Sequence, residues 1–114
     1  MDFNIPTSSM LPPGHIKTVW EHLGNEAADL MQELPADHEL IATVILFNGD
    51  AIQVEEFGYA GPNLLIVHGI KNGNKVTAYV HQSCLQVIFS IMPKDEKRPR
   101  QPFGFVSPDN DPAT

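Results

Sequence analysis

The strongest constraint on the fold of this chain is a series of five short β-forming runs within residues 39–91. Each run is rich in β-branched and aromatic residues, and turn-forming residues separate it from the next. The runs are 39–47, 51–57, 64–70, 75–81 and 84–91. Asn48-Gly49 follows the first run directly, and this pair is the strongest short signal for a β-hairpin. Five short antiparallel strands predict a small, strongly bent barrel of the SH3 or OB type rather than a two-sheet sandwich.

Ahead of the strands, apolar residues recur at steps of three and four, which predicts an amphipathic α-helix over 15–34. The apolar positions are Ile16, Val19, Trp20, Leu23, Ala27, Leu30, Met31 and Leu34. Pro35 ends the pattern because proline lacks the backbone N–H that a helix needs. Gly24-Asn25 falls inside the pattern, so a break into two shorter helices stays open. We expect the apolar stripe to pack on the barrel, the alternative being a partner-binding face.

The two terminal segments have no such pattern. Residues 1–13 contain three prolines and are predicted to be a flexible leader. Residues 93–114 carry five of the ten prolines and little apolar content, which predicts a mostly disordered tail in which Phe103, Phe105 and Val106 dock locally. Residues 14–92 are therefore predicted to form one domain that combines the helix and the barrel.

The formal net charge of −7 is unevenly distributed along the chain. Residues 1–70 carry −9, residues 71–100 carry +4 and the last fourteen residues carry −2. Such a chain has no overall positive field to attract phosphate, so a nucleic-acid function must rest on a local site or on base stacking. The single Cys84 excludes an internal disulfide framework. With no membrane-spanning run or secretory leader, we expect a soluble cytoplasmic protein.

The chain is not expected to be an enzyme. His81 and Cys84 lie three residues apart but have no recognisable nucleophile context. His15, His22 and Glu26 fall on one side of the predicted helix, yet their spacing matches no established metal site. Neither a metal nor another cofactor is therefore expected.

Four short segments carry a resemblance to the Sm-like family, in which one helix precedes five bent strands. They are Leu46-Phe47-Asn48-Gly49, Val54-Glu55-Glu56-Phe57, Asn63-Leu64-Leu65-Ile66 and Tyr79-Val80-His81. The first is similar to the turn of the first Sm motif, which has the sequence Leu-Val-Asn-Gly in bacterial Hfq. The second resembles the end of the second strand, the third resembles the start of the third strand in eukaryotic and archaeal members, and the last is similar to the Hfq signature Tyr-Lys-His. The resemblance covers about residues 41–91.

The sequence departs from the family pattern at four points. No glycine lies between Asp50 and Phe57, where the family bends its second strand, and this strand is about two residues shorter than in Hfq. Gly58 replaces the acidic residue that follows the phenylalanine. Val80 replaces the signature lysine, which removes a positive charge that the family uses near the RNA phosphate.

The resemblance implies a ring of identical subunits in which strand 75–81 of one subunit pairs with strand 84–91 of the next. It also implies binding of single-stranded, uridine-rich RNA in a regulatory or RNA-chaperone role. The candidate RNA-binding residues are Tyr59, Asn63, Lys71, Lys75, Tyr79 and His81. Tyr59 would stack on a base, Asn63 and His81 would contact bases, and the two lysines would contact phosphates.

Most of these candidates also have a structural interpretation that stays open. Asn63 completes a turn after a Gly-Pro pair, Tyr59 packs in the protein or lies on its surface, and His81 is a hydrogen-bonded structural histidine. The two lysines are solvated charges of a hairpin. The alternative for the whole protein is an oligomeric scaffold or protein-interaction module without RNA, which the acidic first seventy residues and the missing signature lysine favour.

Overall fold

The computed structural model describes residues 14–95, 97, 99–100 and 102–108 of the 114-residue chain. One helix precedes the strands, and the mainly β class with an N-terminal helix is confirmed. The elements are α1 (Ile16–Gln32), β1 (His38–Ile45), β2 (Ala51–Ala60), β3 (Leu64–Lys71), β4 (Asn74–His81), β5 (Val87–Pro93) and β6 (Gly104–Phe105). A single 3-10 turn, Gln82–Cys84, joins β4 to β5. The predicted leader, 1–13, lies outside the described residues.

The five longer strands form one antiparallel sheet in the order β4-β3-β2-β1-β5. β1 to β4 follow one another as a meander, and β5 returns to pair with the free side of β1. The sheet is open, and its two outer strands are β4 and β5. The small, strongly bent barrel and the Sm-like fold therefore stay predictions, whereas the five antiparallel strands are confirmed.

A β-bulge bends the middle of β2. Its pairing with β3 shifts between Val54 and Glu56, so Glu55 is the extra residue of the bulge. On β3, Gly69 lies next to the bulge, opposite Val54. An added Cβ at Gly69 would overlap the Gln53 carbonyl oxygen. The strand thus bends without a glycine at the bulge itself, and the glycine that makes room lies on the neighbouring strand. β2 also extends to Ala60, three residues beyond its predicted end.

The helix is continuous through Gly24-Asn25, so the break that the sequence left open does not occur. His15 caps its first turn, because the imidazole Nδ1 accepts a hydrogen bond from the Lys17 backbone N–H at 3.0 Å. As predicted, the helix packs on the sheet, with contacts to β1, β2 and β3. Gly24 allows a close approach, since a Cβ there would lie 3.7 Å from the Phe105 ring.

The core lies between the helix and the inner face of the sheet. The buried residues that form it are Ile16, Ala42, Val44, Ile52, Val54, Phe57, Tyr59, Leu65, Val67 and Val80. Phe103 and Phe105 pack against this core from the C-terminal segment. Residues 102–108 thus pack on the folded body, and they include the aromatic residues for which the sequence predicts local docking.

Two phenylalanines with opposite environments allow a matched test of this packing. Phe105 stacks on Phe57 with ring centroids 5.1 Å apart, whereas Phe47 is 94% exposed. We expect Phe105→Ala to lower the free energy of unfolding by about 3 kcal/mol, because it empties a packed aromatic site. Phe47→Ala should change it by less than about 0.5 kcal/mol. Urea denaturation followed by circular dichroism measures both, and equal losses would contradict the packing of residues 102–108.

Candidate nucleic-acid interface

Three segments meet at one end of the sheet: the β2–β3 turn, the β4–β5 connection and the start of α1. The Ile16 backbone N–H donates to the Pro62 carbonyl at 2.7 Å, which joins the helix to the turn. The Gln82 backbone N–H donates to the Asn63 carbonyl at 2.8 Å, which joins the two loops. We refer to Asn63, His81 and Gln82 as the loop cluster. The structure therefore brings two of the predicted base-contacting residues, Asn63 and His81, to the same place.

Gln82 holds the loop cluster together, although the sequence analysis did not single it out. Its amide Nε2 donates to the Gly14 carbonyl at 2.6 Å and to Asn63 Oδ1 at 2.9 Å, so both amide protons are used. The Oε1 oxygen has no partner in the described part of the chain and is available as an acceptor. The one sequence signal for this residue is its position directly after the Tyr79-Val80-His81 motif.

The hydrogen bonds within the loop cluster also set which atoms of the other two residues are available. His81 Nδ1 accepts from the Ser83 backbone N–H at 3.1 Å, so the neutral ring carries its proton on Nε2. Asn63 Oδ1 accepts from Gln82, so the Asn63 amide offers its Nδ2 protons. Within the described residues these two donors have no partner. The loop cluster thus presents two donors and one acceptor on exposed or half-buried side chains.

The two candidate lysines lie at the other end of the β3–β4 hairpin. Leu64 pairs with His81 at the loop-cluster end, and Lys71 pairs with Asn74 at the far end, seven residues or about 23 Å along the strand at 3.3 Å per residue. Lys71 Nζ lies 2.6 Å from Asp50 Oδ2 and is engaged in that ion pair. Lys75 lines a cavity of about 500 Å³ beside Glu55, Glu56 and His68. Within one chain the lysines therefore do not join the loop cluster.

Tyr59 lies inside the protein. Its side chain is 7% exposed, its ring centroid is 5.1 Å from that of Trp20, and its hydroxyl lies 3.4 Å from Ser107 Oγ. A ring in this position offers no face to a base. This burial corrects the sequence-based assignment of Tyr59 as a stacking residue, and of the two interpretations left open for it, packing is the one that agrees with the structure.

The two outer strands of the sheet carry exposed apolar side chains. On β4, Tyr79 is 64% exposed and lines an apolar groove of about 360 Å³ together with Leu46 and Phe47 of the β1–β2 turn. The matching residues of β5 are Ile88, Ile91 and Met92, each close to half exposed. Edges with unpaired backbone groups and apolar side chains are suited to pairing with another strand.

The described residues contain neither a group of metal ligands nor a membrane-spanning helix. No three or more histidine, cysteine, aspartate and glutamate side chains within them are grouped closely enough to hold a metal ion. None of the helices in the described part of the chain is long and apolar enough to cross a membrane. The thiol of Cys84 is free and exposed.

Comparisons with known proteins found no match: no family model fits the chain, and no curated protein or solved structure is significantly similar to it. The resemblance to the Sm-like family therefore rests on the short motifs and on the order of the elements.

The engagement of Lys71 predicts a titration difference at Asp50. The hydrogen bond and charge of Lys71, aided by the Asn48 amide, lower the pKa of the Asp50 carboxyl. Its ionised form therefore stabilises the fold above the ordinary carboxyl pKa, and that contribution is lost as the pH falls through the lowered value. We expect Lys71→Met to raise the pKa of Asp50 towards its ordinary value in an NMR titration.

Lys75→Met is the control, because Lys75 makes no contact with Asp50 in the described structure. If Lys71→Met and Lys75→Met leave the Asp50 titration equally unchanged, Lys71 is not held by the ion pair and its ammonium is free to meet a phosphate.

Proposed function

We propose that the chain assembles with copies of itself into a ring that binds single-stranded RNA. The observation that carries this proposal is the strand order, which leaves β4 at one edge of the sheet and β5 at the other. An interface between two different edges is heterologous, and when its rotation closes it produces a ring in which every edge is covered. This is the pairing that the resemblance to Sm-like proteins implies.

The side chains of the two edges support this pairing. β5 would bring Ile88, Ile91 and Met92 to a strand whose own exposed residue is Tyr79, so that apolar surface meets apolar surface. The groove beside β4, lined in part by Phe47, gives the incoming side chains a place to pack. The main-chain groups of both edges would be satisfied by the same contact.

The loop cluster supports RNA as the ligand. The loop cluster offers two donors and one acceptor. This set is complementary to the Watson–Crick edge of a pyrimidine, which has two acceptors and one donor. The corresponding edge of adenine has one of each, and that of guanine has two donors and one acceptor. Single-stranded RNA exposes these edges, so the loop cluster favours pyrimidines, in agreement with the uridine-rich RNA that the resemblance implies.

Repetition around the ring axis would make these modest sites effective. Each loop cluster offers a few neutral hydrogen bonds, and neither candidate lysine is near it. A strand of RNA that contacts several copies gains affinity through effective concentration rather than through more charge. The dependence of affinity on salt should therefore be shallow for a nucleic-acid-binding protein.

A scaffold that binds no RNA is the second candidate. The observation in its favour is the position of the charges: Lys71 is paired with Asp50, and Lys75 lies beside Glu55 and Glu56. The same edge pairing would operate in such a scaffold, and the loop cluster would then serve to hold the helix and the two loops together.

Two methionines allow a matched test of the assembly. Met92 is 48% exposed on β5, and Met31 is 40% exposed on α1. We expect the wild-type protein to be larger than its 12.6 kDa monomer in light scattering, and Met92→Lys to shift it to the monomer because the lysine would bring a charge into the apolar contact between subunits. Met31→Lys should leave the assembly intact. A monomeric wild type would refute the ring.

Two histidines of the same hairpin test the RNA site. His81 belongs to the loop cluster, whereas His68 is hydrogen-bonded to Thr77 at 2.9 Å on the sheet. We expect labelled oligo-uridine to bind more tightly than oligo-adenine in fluorescence anisotropy. His81→Ala should weaken oligo-uridine binding about ten-fold, the effect of one lost base contact, and His68→Ala should not. If the wild type binds neither oligonucleotide at low salt, the scaffold is the remaining function.

A further inference from the structure

The C-terminal segment packs into a cleft formed by residues of the helix and the sheet. We call 102–108 the tail strand, and we call the site that receives it the aromatic cleft. The cleft is formed by Trp20, Gly24, Phe57, Tyr59 and Phe89. Phe105 stacks on Phe57 at 5.1 Å and meets the Trp20 ring edge-on at 6.0 Å. Phe103 stacks on Phe89 at 5.8 Å, so two rings separated by one residue fill two places in the cleft.

Backbone contacts align the tail strand with β2. β6 pairs in parallel with Glu56 and Phe57 of β2. This part of β2 does not pair with β1. The Val106 backbone N–H donates to the Phe57 carbonyl at 2.8 Å. Recognition of a segment by strand addition together with side-chain insertion is a recurring mode of peptide binding. The tail strand is therefore bound as a peptide ligand would be.

We propose that the aromatic cleft is a peptide-docking site that exchanges its tail strand with that of a second copy of the chain. Because two copies have the same sequence, the tail strand of one makes the same contacts in the cleft of the other, and the connecting segment and the protein concentration decide between the two arrangements. This exchange goes beyond the proposed ring and does not require β4 to pair with β5.

The described residues of the connecting segment, 94–95, 97 and 99–100, include two that are hydrogen-bonded to the rest of the fold. The Lys94 backbone N–H donates to the Asp37 carbonyl at 2.8 Å, and the Arg100 guanidinium donates to the carbonyls of His38 and Pro35. Hydrogen bonds of this kind exchange with water at little cost, so they do not commit the tail strand to its own body.

The geometry also defines what the cleft accepts. An added Cβ on Gly104 would meet nothing within 4 Å, so the spacer between the two rings can be another small residue. A Cβ on Gly24 would already lie 3.7 Å from the Phe105 ring, so a larger side chain there takes the place of that ring. The ligand is thus an extended segment with the order aromatic, small, aromatic. A substitution can therefore abolish docking from either side, in the tail strand or in the aromatic cleft.

The first test uses a full-length protein with an unoccupied cleft, Phe103→Ala/Phe105→Ala, and a synthetic peptide with the sequence of 100–108. Trp20 is the single tryptophan and lies in the cleft, so its fluorescence reports docking directly. We expect a saturable change on addition of the peptide. A peptide with alanine in place of both phenylalanines should bind at least about ten-fold more weakly, since it loses both buried rings.

A peptide with alanine at the spacer should bind like the original. If the double variant does not fold, Phe105→Ala alone serves as the receptor. No response to the original peptide overturns the docking site.

The second test mixes two full-length variants. One is the receptor, Phe103→Ala/Phe105→Ala, and the other is a donor, Trp20→Phe/Gly24→Leu, which has an intact tail strand, a blocked cleft and no tryptophan. We expect the receptor fluorescence to return towards the wild-type spectrum as donor is added. A donor that also carries Phe103→Ala/Phe105→Ala should have no effect.

Docking of the peptide without a response to the donor chain would overturn exchange between copies. Repeating the mixture with Met92→Lys in both chains separates exchange from edge pairing. A response that persists in this background supports exchange even if the ring is refuted, and a response that disappears assigns the effect to the ring and overturns the proposal.

Discussion

The structure depends on the peptide carbonyl of Phe57. At this point β2 has turned away from β1, and a carbonyl without a partner would be costly beside a buried ring. Phe57 instead accepts two hydrogen bonds, from the Trp20 indole N–H at 3.0 Å and from the Val106 backbone N–H at 2.8 Å. The helix, the sheet and the C-terminal segment are therefore joined at one atom, and the fully buried Phe57 ring packs where the three meet.

The strand order leaves the sheet with two open edges. β1 pairs with β5 along nearly its whole length and with the first residues of β2 at its end, so β5 lies outside β1 and its other side stays unpaired. On the far side, β3 pairs with β2 from Gln53 to Ala60 and leaves β4 as the last strand. Both exposed edges thus follow from the strand order of a sheet that does not close on itself. The proposed assembly would cover them.

Much of the fold could be predicted because its signals are local. Apolar spacing indicates the helix, and turn residues separate the strands. Tyr59 was misjudged because its position depends on the bulge: β2 continues to Ala60, and Phe57 and Tyr59 both face the core. β6 has two residues and exists through its contact with β2, which no local pattern reveals. Gln82 likewise joins loops distant in sequence, whereas Asn63 and His81 were proposed as site residues from short motifs.

The described body begins and ends at the same turn. The Gly14 carbonyl accepts a hydrogen bond from Gln82. The next residue, His15, caps the helix and lies beside Gly61. At the other end, Pro108 lines a cavity with Ala60 and Gly61. Ends that lie close together can be joined by a short linker and the chain reopened elsewhere. Because the exposed turn at 72–73 connects β3 to β4, a circular permutant opened there would keep every described strand intact and carry new termini at the end of the sheet opposite the loop cluster.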